Sequence, residues 1–500
     1  MKALRPIIAI CGTTGVGKSN LAIELALQLA QAGRRTWNSA KIINADAMQV
    51  YAGMDIITNK VPLSERQGIE HVLMGFKSPD EQYVVGQWVK DALDAVEDAY
   101  ANNQIPIVVG GTSYWIQHLL FPNRLAKDFN SEIDDRPSER SETSEELLES
   151  IKSLPPELLD LFNTLPDPAP SADTDPEGAL RLYNLLKALD TSVAARWHWK
   201  DTRKVLRSLR IVQETGRRPS ELIHEQSKVL LQPRFRTLCF WVFSKPEVLK
   251  PRLDLRIDKM LEQGLLDEVR ALRAMSSAPN EATDSPPDYA FGIYQSIGYR
   301  EFHKYLSLSH PTEEEFSEAV KSMKISTRQY AKRQTSWLRN KLLPILYAAN
   351  DPVGGNREPS TFTYLLNATE LGENWAINVE VPAVRITNAF LDCEPLPDPM
   401  SLSNVAREVL DVEHKNPDPN AVLEARRKII CPVCTTDPTQ PFMVEEGKEY
   451  QMHLKSRIHK YRARKPLSAA EIEERKRQGR RKKEEECAVE KLDLNSLSVL

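Results

Sequence analysis

The sequence has few of the features that assign a chain to a class by composition alone. It contains only 6 cysteines in 500 residues, too few for the disulfide framework of a secreted protein. No apolar run approaches the roughly 20 residues that cross a bilayer, so we expect a soluble chain without a membrane anchor. The formal net charge of −4 excludes a global basic field, and any contact with nucleic acid must come from local basic patches. A hydrophobic share of 41% and 33 prolines favour several domains joined by linkers.

We expect no targeting segment at the N-terminus. The apolar run IIAI (7–10) begins close to Met1, which would leave no room for a signal or transit peptide unless the true start lies upstream. We therefore expect a cytoplasmic protein, with the mitochondrion and the nucleus as further compartments. The basic run RKRQGRRKK (475–483) is typical of a nuclear-import signal and equally of a disordered basic end.

The clearest motif lies near the start, where residues 11–20 read CGTTGVGKSN. This stretch matches the pattern G-x-x-x-x-G-K-[ST] without a mismatch, between an apolar strand-like run and a helical pattern. Such a loop curls its backbone N–H groups around an anion at a helix N-terminus. The predicted phosphate-binding residues are Gly12, Thr13, Thr14, Gly15, Val16, Gly17, Lys18 and Ser19.

Strand and helix signals alternate over residues 1–125. KIINAD (41–46) reads as a short strand ending in an acid, and IPIVVGG (105–111) as a buried strand ending in glycines. This alternation predicts an α/β fold with a P-loop NTPase-like parallel sheet and helices on both faces. Ligands of such sheets bind at the carboxyl ends of the strands, where Asp46 and Thr112 both fall.

Shifts in composition divide the chain into segments. Polar, acidic and then proline-rich sequence fills 128–178, and RTLCFWVF (236–243) reads as a strand that returns to the sheet. The predicted segments are a first part of the catalytic core (1–127), a helical insertion (128–200), a second part of the core with a basic helix (201–348), a linker or irregular region (349–425), a two-Cys two-His zinc finger (426–465) and a charged tail (466–500).

The identity of the bound phosphate is a separate question, because ATP is the common ligand of this loop. An ATPase usually has an acid at the end of a second buried strand to hold hydrated Mg²⁺. Here the candidate strand IPIVVGG ends in glycines, and the acid at a strand end is Asp46. A single carboxylate beside a phosphate loop suits a general base better than an ATPase metal site.

Several segments in a fixed order carry a family resemblance. They are GTTGVGKS (12–19), NADAMQVYAGMDIITNK (44–60), VVGGTSYWIQHLL (108–120), SIGYREF (296–302) and STRQYAKRQTSWLR (326–339). Together they resemble the tRNA dimethylallyltransferase (tRNA isopentenyltransferase) family, and the Cys/His finger is similar to its eukaryotic branch. The resemblance implies transfer of a dimethylallyl group from dimethylallyl diphosphate to N6 of the adenosine 3′-adjacent to the anticodon. It also implies tRNA (its anticodon stem-loop) as partner and Mg²⁺ as cofactor, and we expect a monomer.

On the donor side, the resemblance implies that the phosphate loop holds the leaving diphosphate. The Lys18 ammonium and a Mg²⁺ near Ser19 would face the charge that develops there. Thr14 would hydrogen-bond near the breaking C–O bond. An arginine of a later helix would reach the diphosphate, and Arg252 best matches its position, with Arg256 one turn away as the alternative.

On the acceptor side, the resemblance assigns a general base to Asp46 and a catalytic role to Thr112. The adenine amino group is nearly non-basic, and base catalysis is worth about 10²- to 10⁴-fold in rate. An acid directly after a strand is also a common helix N-cap. A flipped adenosine would be read by Gln49, with Asp46, Ala47 and Met48 beside it; Ala47 stands where the family often has Ser.

A basic stripe on a predicted helix over 201–212 is a candidate tRNA contact. Basic residues recur there at i, i+4 and i+7, opposite an apolar stripe. The segment RKVLR matches a tRNA-contacting region of the family, which makes Arg203, Lys204 and Arg207 the predicted contacts. A solvated helix face has the same pattern.

The C-terminal pattern predicts a structural Zn²⁺ site. Cys431 and Cys434 precede His453 and His459 in the order C-x2-C…H-x5-H, which fits two-Cys two-His ligation. The five-residue gap between the histidines does not place both on one face of a regular helix, so a local kink is expected. Zinc would fold a segment that is too small to fold alone.

Three other functions compete with a tRNA-modifying prenyltransferase. An adenylate dimethylallyltransferase would use free nucleotide as acceptor, but the helical insertion, basic helix and finger favour a macromolecule. A P-loop nucleotide kinase or NTPase would bind ATP in the same loop. The missing acid after VVGG argues against this function. A non-catalytic RNA-binding zinc-finger protein would not need the intact loop or Asp46.

Overall fold

The computed structural model describes residues 4–33, 36–122, 144–228, 231–276, 292–350, 359–411, 426–463 and 477. The chain divides into two compact units, called unit 1 and unit 2 here. Unit 1 comprises residues 1–137 and 226–418, and unit 2 comprises 138–225 and 419–500. None of the described helices combines the length and the apolar character that a membrane span requires. The predicted lead-in to the insertion before 144 and the charged tail lie outside the described residues, except for Arg477.

Unit 1 is built on a parallel sheet of six strands in the order β3-β2-β4-β1-β5-β6. The strands are β1 (Pro6–Gly12), β2 (Ser39–Asn44), β3 (His71–Val72), β4 (Gln104–Val109), β5 (Arg236–Phe243) and β6 (Thr361–Asn367). The predicted α/β class and parallel sheet are confirmed. The central strand β1 is flanked by β4 and β5, so the loop after β1 lies at the middle of the carboxyl edge.

Helices cover both faces of this sheet because β1 is apolar on both sides. Ile7, Ala9 and Cys11 belong to one buried cluster, and Ile8 and Ile10 belong to the other, as the two-residue period of a strand dictates. The helices of unit 1 are α1 (Lys18–Gln31), α2 (Val85–Ala101), α3 (Ser113–Leu120), α10 (Pro246–Glu262), α11 (Leu265–Ser276), α12 (Tyr299–Leu306), α13 (Glu313–Trp337), α14 (Leu343–Ala348), α15 (Glu373–Trp375), α16 (Val381–Leu391) and α17 (Asn404–Leu410). Short 3₁₀ turns occupy Leu63–Glu65, Gly292–Gln295 and Pro399–Ser401.

The segment predicted as a linker, 349–425, contributes to the core of unit 1 in its described part. Strand β6 pairs with β5 from Thr237↔Thr361 to Phe243↔Asn367. Tyr364 and Leu366 are buried in the same cluster as α1. The sequence prediction of an irregular region is therefore wrong for 361–391. Its strand signal is weak because polar threonines and asparagines interrupt the apolar residues.

Unit 2 contains the predicted helical insertion. Its helices are α4 (Glu145–Lys152), α5 (Pro156–Asn163), α6 (Pro176–Leu189), α7 (Thr191–Ala194) and α8 (Thr202–Thr215), and α9 (Pro219–Lys228) contains the boundary at residue 225. The apolar stripe of α8, Val205, Leu209 and Val212, packs into the cluster that contains Leu182 and Trp199. The basic helix therefore belongs to unit 2, and the boundary predicted at residue 200 moves to 225.

The C-terminal finger folds as part of unit 2. It comprises the antiparallel pair β7 (Lys428–Ile430) and β8 (Met443–Glu445), followed by α18 (Lys448–Lys455) and α19 (Arg457–Ala463). Ser456 separates the two helices with an extended conformation, φ −65° and ψ 151°. This break is the kink that the five-residue gap between the histidines predicted.

Candidate active site

The phosphate loop joins β1 to α1, as predicted. Its Gly17 is the N-cap of α1 in the left-handed conformation, with φ 88° and ψ 22°, where other residues are strained. The Lys18 ammonium donates to the carbonyl of Thr13 over 2.8 Å. The loop therefore directs backbone N–H groups and an ammonium toward one anion site at the start of a helix.

The loops that follow β4 and β2 lie beside the phosphate loop, because β4 pairs with β1 and β2 pairs with β4. Asp46 follows β2 by two residues, and its Oδ1 accepts a hydrogen bond from the Met48 N–H over 3.0 Å. The hydroxyl of Thr112, just after β4, accepts from the Ala47 N–H over 3.0 Å. The Thr112 N–H donates to the Ala45 carbonyl over 3.1 Å. Thr112 thus holds the turn that carries Asp46.

Gln334 of α13 connects the phosphate loop to the loop that follows β4. This residue was not predicted from the sequence. Its carbonyl oxygen accepts from the Thr14 N–H over 2.8 Å, and its amide nitrogen donates to the Gly111 carbonyl over 3.1 Å. A Cβ at Gly111 would lie 2.6 Å from that nitrogen and 3.2 Å from Oδ2 of Asp46, so a larger residue there would displace the Gln334 amide. The signal in the sequence was a glutamine among basic residues, within the segment STRQYAKRQTSWLR (326–339) that carries the family resemblance.

The two candidate arginines of α10 occupy different environments. Arg256 donates to the hydroxyl of Thr14 over 2.9 Å. Arg252 donates to the carbonyls of Ala368 and Thr369, over 3.2 and 3.0 Å. The structure therefore brings the alternative, Arg256, to the phosphate loop, and places Arg252 on the backbone that follows β6.

Burial and mutual charge perturb the ionisable groups around the phosphate loop. Burial lowers the pKa of Lys18 to about 8, against the opposing effect of the Asp46 carboxylate. Burial also lowers the pKa of Arg256, again opposed by Asp46. Burial and the charge of Asp46 raise the pKa of the Tyr330 phenol, which also hydrogen-bonds to Gln334. Two cations, one carboxylate and one phenol thus lie close enough together for the charge of Asp46 to act on the other three.

Two buried polar atoms at this site have no hydrogen-bond partner among the described residues. They are the hydroxyl of Thr13 and Nε of Arg256. Buried polar groups are nearly always paired in folded proteins, so unpaired donors here indicate an anionic ligand. Their chemistry suits phosphate oxygens.

Gln49 does not present its amide nitrogen freely. That nitrogen donates to the carbonyls of Thr58 and Asn59, each over 3.1 Å. The same loop is held by Glu268, whose carboxylate accepts from the Ile56 N–H over 2.9 Å. Gln49 therefore shapes the loop that follows Asp46, Ala47 and Met48.

The three basic residues predicted to contact tRNA lie on an exposed face of α8 in unit 2. Arg203, Lys204 and Arg207 are exposed. The Lys204 ammonium lies 3.4 Å from a carboxylate oxygen of Asp201 and 5.1 Å from the ring centroid of Trp197. Exposed basic side chains on one helix face can bind backbone phosphates of nucleic acid.

The four predicted zinc ligands converge. Their ligand atoms, from Cys431, Cys434, His453 and His459, all lie within 4.8 Å of one another. Each cysteine sulfur lies 3.5 Å from Nδ1 of His459. That separation is what tetrahedral Zn²⁺ with bonds of about 2.3 Å to sulfur and about 2.0 Å to nitrogen requires. The donor set therefore fits zinc.

Magnesium has a different donor set. Within the described ranges, the finger is the one group of three or more His, Cys, Asp or Glu side chains arranged to hold a metal. Ser19 directly follows the loop lysine, where the motif places a hydroxyl ligand. Mg²⁺ keeps most of its water and binds substrate phosphates, so one hydroxyl is compatible with it.

The fold and the site together define a phosphate-loop protein of the parallel α/β class, with a carboxylate beside the loop. A family model described as IPP transferase matches residues 49–341. A tRNA dimethylallyltransferase of Schizosaccharomyces pombe is 35% identical over 94% of this chain and 97% of its own length. The Saccharomyces cerevisiae enzyme of that name is 33% identical over 94% of each chain, and the human one 30% over 91% of this chain and 85% of its own. The chain belongs to the IPP transferase family, in its tRNA dimethylallyltransferase branch.

A solved structure supports the same assignment. A eukaryotic dimethylallyltransferase acting on tRNA superposes with a TM-score of 0.68 and 30% identity. The match covers 96% of this chain and 100% of the other. The likeness therefore includes both units and confirms the fold class predicted from the sequence.

Proposed function

We propose that this chain transfers the dimethylallyl group of dimethylallyl diphosphate to N6 of the adenosine 3′-adjacent to the anticodon in tRNA. The observation that carries the proposal is that Lys18, Arg256 and Asp46, each partly buried, lie close together around one phosphate loop. This arrangement offers positive charge to a leaving diphosphate and a carboxylate to an attacking amine. The names of the relatives, tRNA dimethylallyltransferase, agree with it.

The donor side supports loss of diphosphate. As the allylic C–O bond breaks, its electron pair moves onto the diphosphate oxygens. Loop N–H groups, the Lys18 ammonium and the Arg256 guanidinium then stabilise that charge in a buried site. The Thr14 hydroxyl accepts from Arg256, and its own proton would be donated to the leaving oxygen. We therefore assign to Arg256 the role that the sequence match gave to Arg252.

The acceptor side supports removal of a proton. The N6 lone pair of adenosine forms the new bond to the allylic carbon, and N6 then loses one proton to a carboxylate oxygen of Asp46. Oδ1 already accepts a hydrogen bond from the Met48 N–H, so Oδ2 is the oxygen that takes the proton from N6. Thr112 and Gln49 keep the turn and the following loop in place. The adenosine must leave its stack to reach this carboxylate.

The two metals have separate roles in the proposal. Mg²⁺ would bind the diphosphate oxygens with the Ser19 hydroxyl as protein ligand, and would supply further positive charge. Zn²⁺ would be held by the two cysteines and two histidines of the finger and has no part in the reaction. Its contribution is the folding of the finger.

The contact with tRNA includes unit 2. Arg203, Lys204 and Arg207 would bind backbone phosphates through the exposed face of α8. We further propose that the enzyme is a monomer and works in the cytoplasm, with mitochondrion and nucleus as further sites. Light scattering on the pure protein and fractionation of cells test these two points.

The decisive experiment is a transfer assay without ATP. Labelled dimethylallyl diphosphate and Mg²⁺ are incubated with the protein and an anticodon stem-loop RNA, and in parallel with AMP. Label in the RNA at N6 of the adenosine next to the anticodon supports the proposal. Label on AMP alone would indicate an adenylate dimethylallyltransferase. ATP turnover without label transfer would indicate a P-loop kinase or NTPase.

A further inference from the structure

The indole ring of Trp375 lies directly on the glycine that begins α1. A Cβ built on Gly17 would meet Cη2 of Trp375 at 2.5 Å, Cζ3 at 2.9 Å and Cζ2 at 3.4 Å. Gly17 is also the N-cap of the helix whose N-terminus holds the phosphate. One side of the phosphate loop is therefore covered by an aromatic ring.

The ring reaches the loop from the side opposite to the proposed base. Asp46 and Gly111 follow β2 and β4, on one side of the central strand β1. Trp375 follows β6, on the other side, beyond β5. The segment between β6 and the ring is anchored by Arg252, which donates to the carbonyls of Ala368 and Thr369. The phosphate loop thus has a carboxylate on its β4 side and an aromatic ring on its β6 side.

The helix behind Trp375 holds the ring in place. α15 ends at Trp375, and a π-helical turn, Ala376–Glu380, connects it directly to α16. Val379 and Ala383 are fully buried in the cluster that contains Leu21 of α1. Helical turns of the π type are rare and occur frequently at functional sites. The residue before this turn is the one that contacts the phosphate loop.

We infer that Trp375 is a specificity-determining residue that selects a terminal diphosphate over a nucleotide. The inference rests on the proposed function, in which the prenyl group leaves the loop on the Asp46 side. A prenyl diphosphate bound in this way has its free terminal phosphate on the β6 side. A nucleotide bound with its terminal phosphate toward Asp46, as a phosphoryl donor would be, carries its nucleoside on the β6 side, where the indole ring occupies the space that the nucleoside requires. Specificity of this kind comes from excluding the wrong ligand.

The test compares ADP with inorganic diphosphate, which share the diphosphate group and differ by the nucleoside. Dissociation constants for both are measured with Mg²⁺ on the full-length protein by calorimetry. The variants are Trp375→Ala, Trp375→Leu and a matched control, Ile377→Ala, which removes an exposed apolar side chain two residues further on. Circular dichroism verifies that each variant is folded.

We expect the preference for diphosphate over ADP to shrink at least about tenfold in Trp375→Ala, less in Trp375→Leu and not in Ile377→Ala. An unchanged ratio in Trp375→Ala, a parallel loss of both affinities, or an equal shift in Ile377→Ala would overturn the inference. So would a wild-type protein that binds ADP as tightly as diphosphate. The transfer assay on wild-type protein is scored separately, so failure of the proposed function is seen there and not in these ratios.

Discussion

Arg256 donates a hydrogen bond to the hydroxyl of Thr14 over 2.9 Å, whereas Arg252 binds two backbone carbonyls after β6. We therefore expect Arg256→Lys to lower the rate of dimethylallyl transfer by about 100-fold, because a preorganised donor to the leaving group is lost. The measurement is single-turnover transfer to stem-loop RNA.

Arg252→Lys is the matched control for this prediction, since it makes the same change one helical turn away. Its rate should remain close to that of the wild type. A larger loss in Arg252→Lys than in Arg256→Lys would restore the assignment made from the sequence.

Replacement of the proposed base should separate chemistry from binding. Asp46→Asn keeps the shape and the hydrogen bond to Met48 but cannot take a proton at neutral pH. We expect the rate to fall by about 10²- to 10⁴-fold while the affinity for stem-loop RNA stays within a few-fold. Asp94→Asn, at an exposed position of α2, is the control. Full activity in Asp46→Asn would exclude Asp46 as the base.

The bridge made by Gln334 should matter for catalysis more than for folding. Gln334→Met has a similar volume but loses both the bond from Thr14 and the bond to Gly111. We expect the rate of dimethylallyl transfer to fall by about 10-fold or more, since the phosphate loop and the loop after β4 are no longer held at a fixed distance. Gln334→Glu should recover part of the rate, because it can still accept from Thr14.

Gln329→Met makes the same substitution at an exposed position of the same helix and serves as the control for helix stability. Equal rate losses at positions 329 and 334 would mean that the effect comes from the helix and not from the bridge.

The depressed pKa of Lys18 predicts a pH dependence for diphosphate binding. With a pKa of about 8 in the free protein, the ammonium is present below pH 8 and is lost as the pH rises above it. The affinity for diphosphate should therefore fall above pH 8, by up to about tenfold per pH unit. Lys18→Arg keeps its charge throughout this range. The wild type and Lys18→Arg are compared by calorimetry from pH 6.5 to 9.5, and parallel curves would contradict the prediction.

Removal of zinc should destabilise the helices of unit 2 as well as the finger that packs on them. The Trp199 side chain donates to the Pro441 carbonyl over 2.8 Å, and Met443 is buried in the helical cluster. We expect Cys434→Ser to abolish zinc binding and to cost unit 2 on the order of 2 kcal/mol in unfolding free energy. Metal analysis and chemical unfolding measure the two effects. Cys393→Ser, at an exposed cysteine of unit 1, should change neither.

Elements whose chemistry is local could be predicted from the sequence. The phosphate loop, its helix and the buried strands are each specified by consecutive residues, because backbone N–H groups and a two-residue apolar period need no distant partner. The zinc ligands were found for the same reason, and so was the break at Ser456, which follows from helix geometry between His453 and His459. The position of Asp46 at the carboxyl edge also followed from its place directly after a predicted strand.

Only the tertiary structure decided which distant residues complete these local elements. Arg252 and Arg256 lie on one helix with similar sequence surroundings, and the packing of α10 against the loop distinguishes them. Gln334 and Trp375 contact the phosphate loop from segments more than three hundred residues away, where no local pattern marks them. Strand β6 was read as irregular because its pairing with β5 supplies the stability that its own composition lacks. Long-range packing is a property of the whole chain, and short motifs do not contain it.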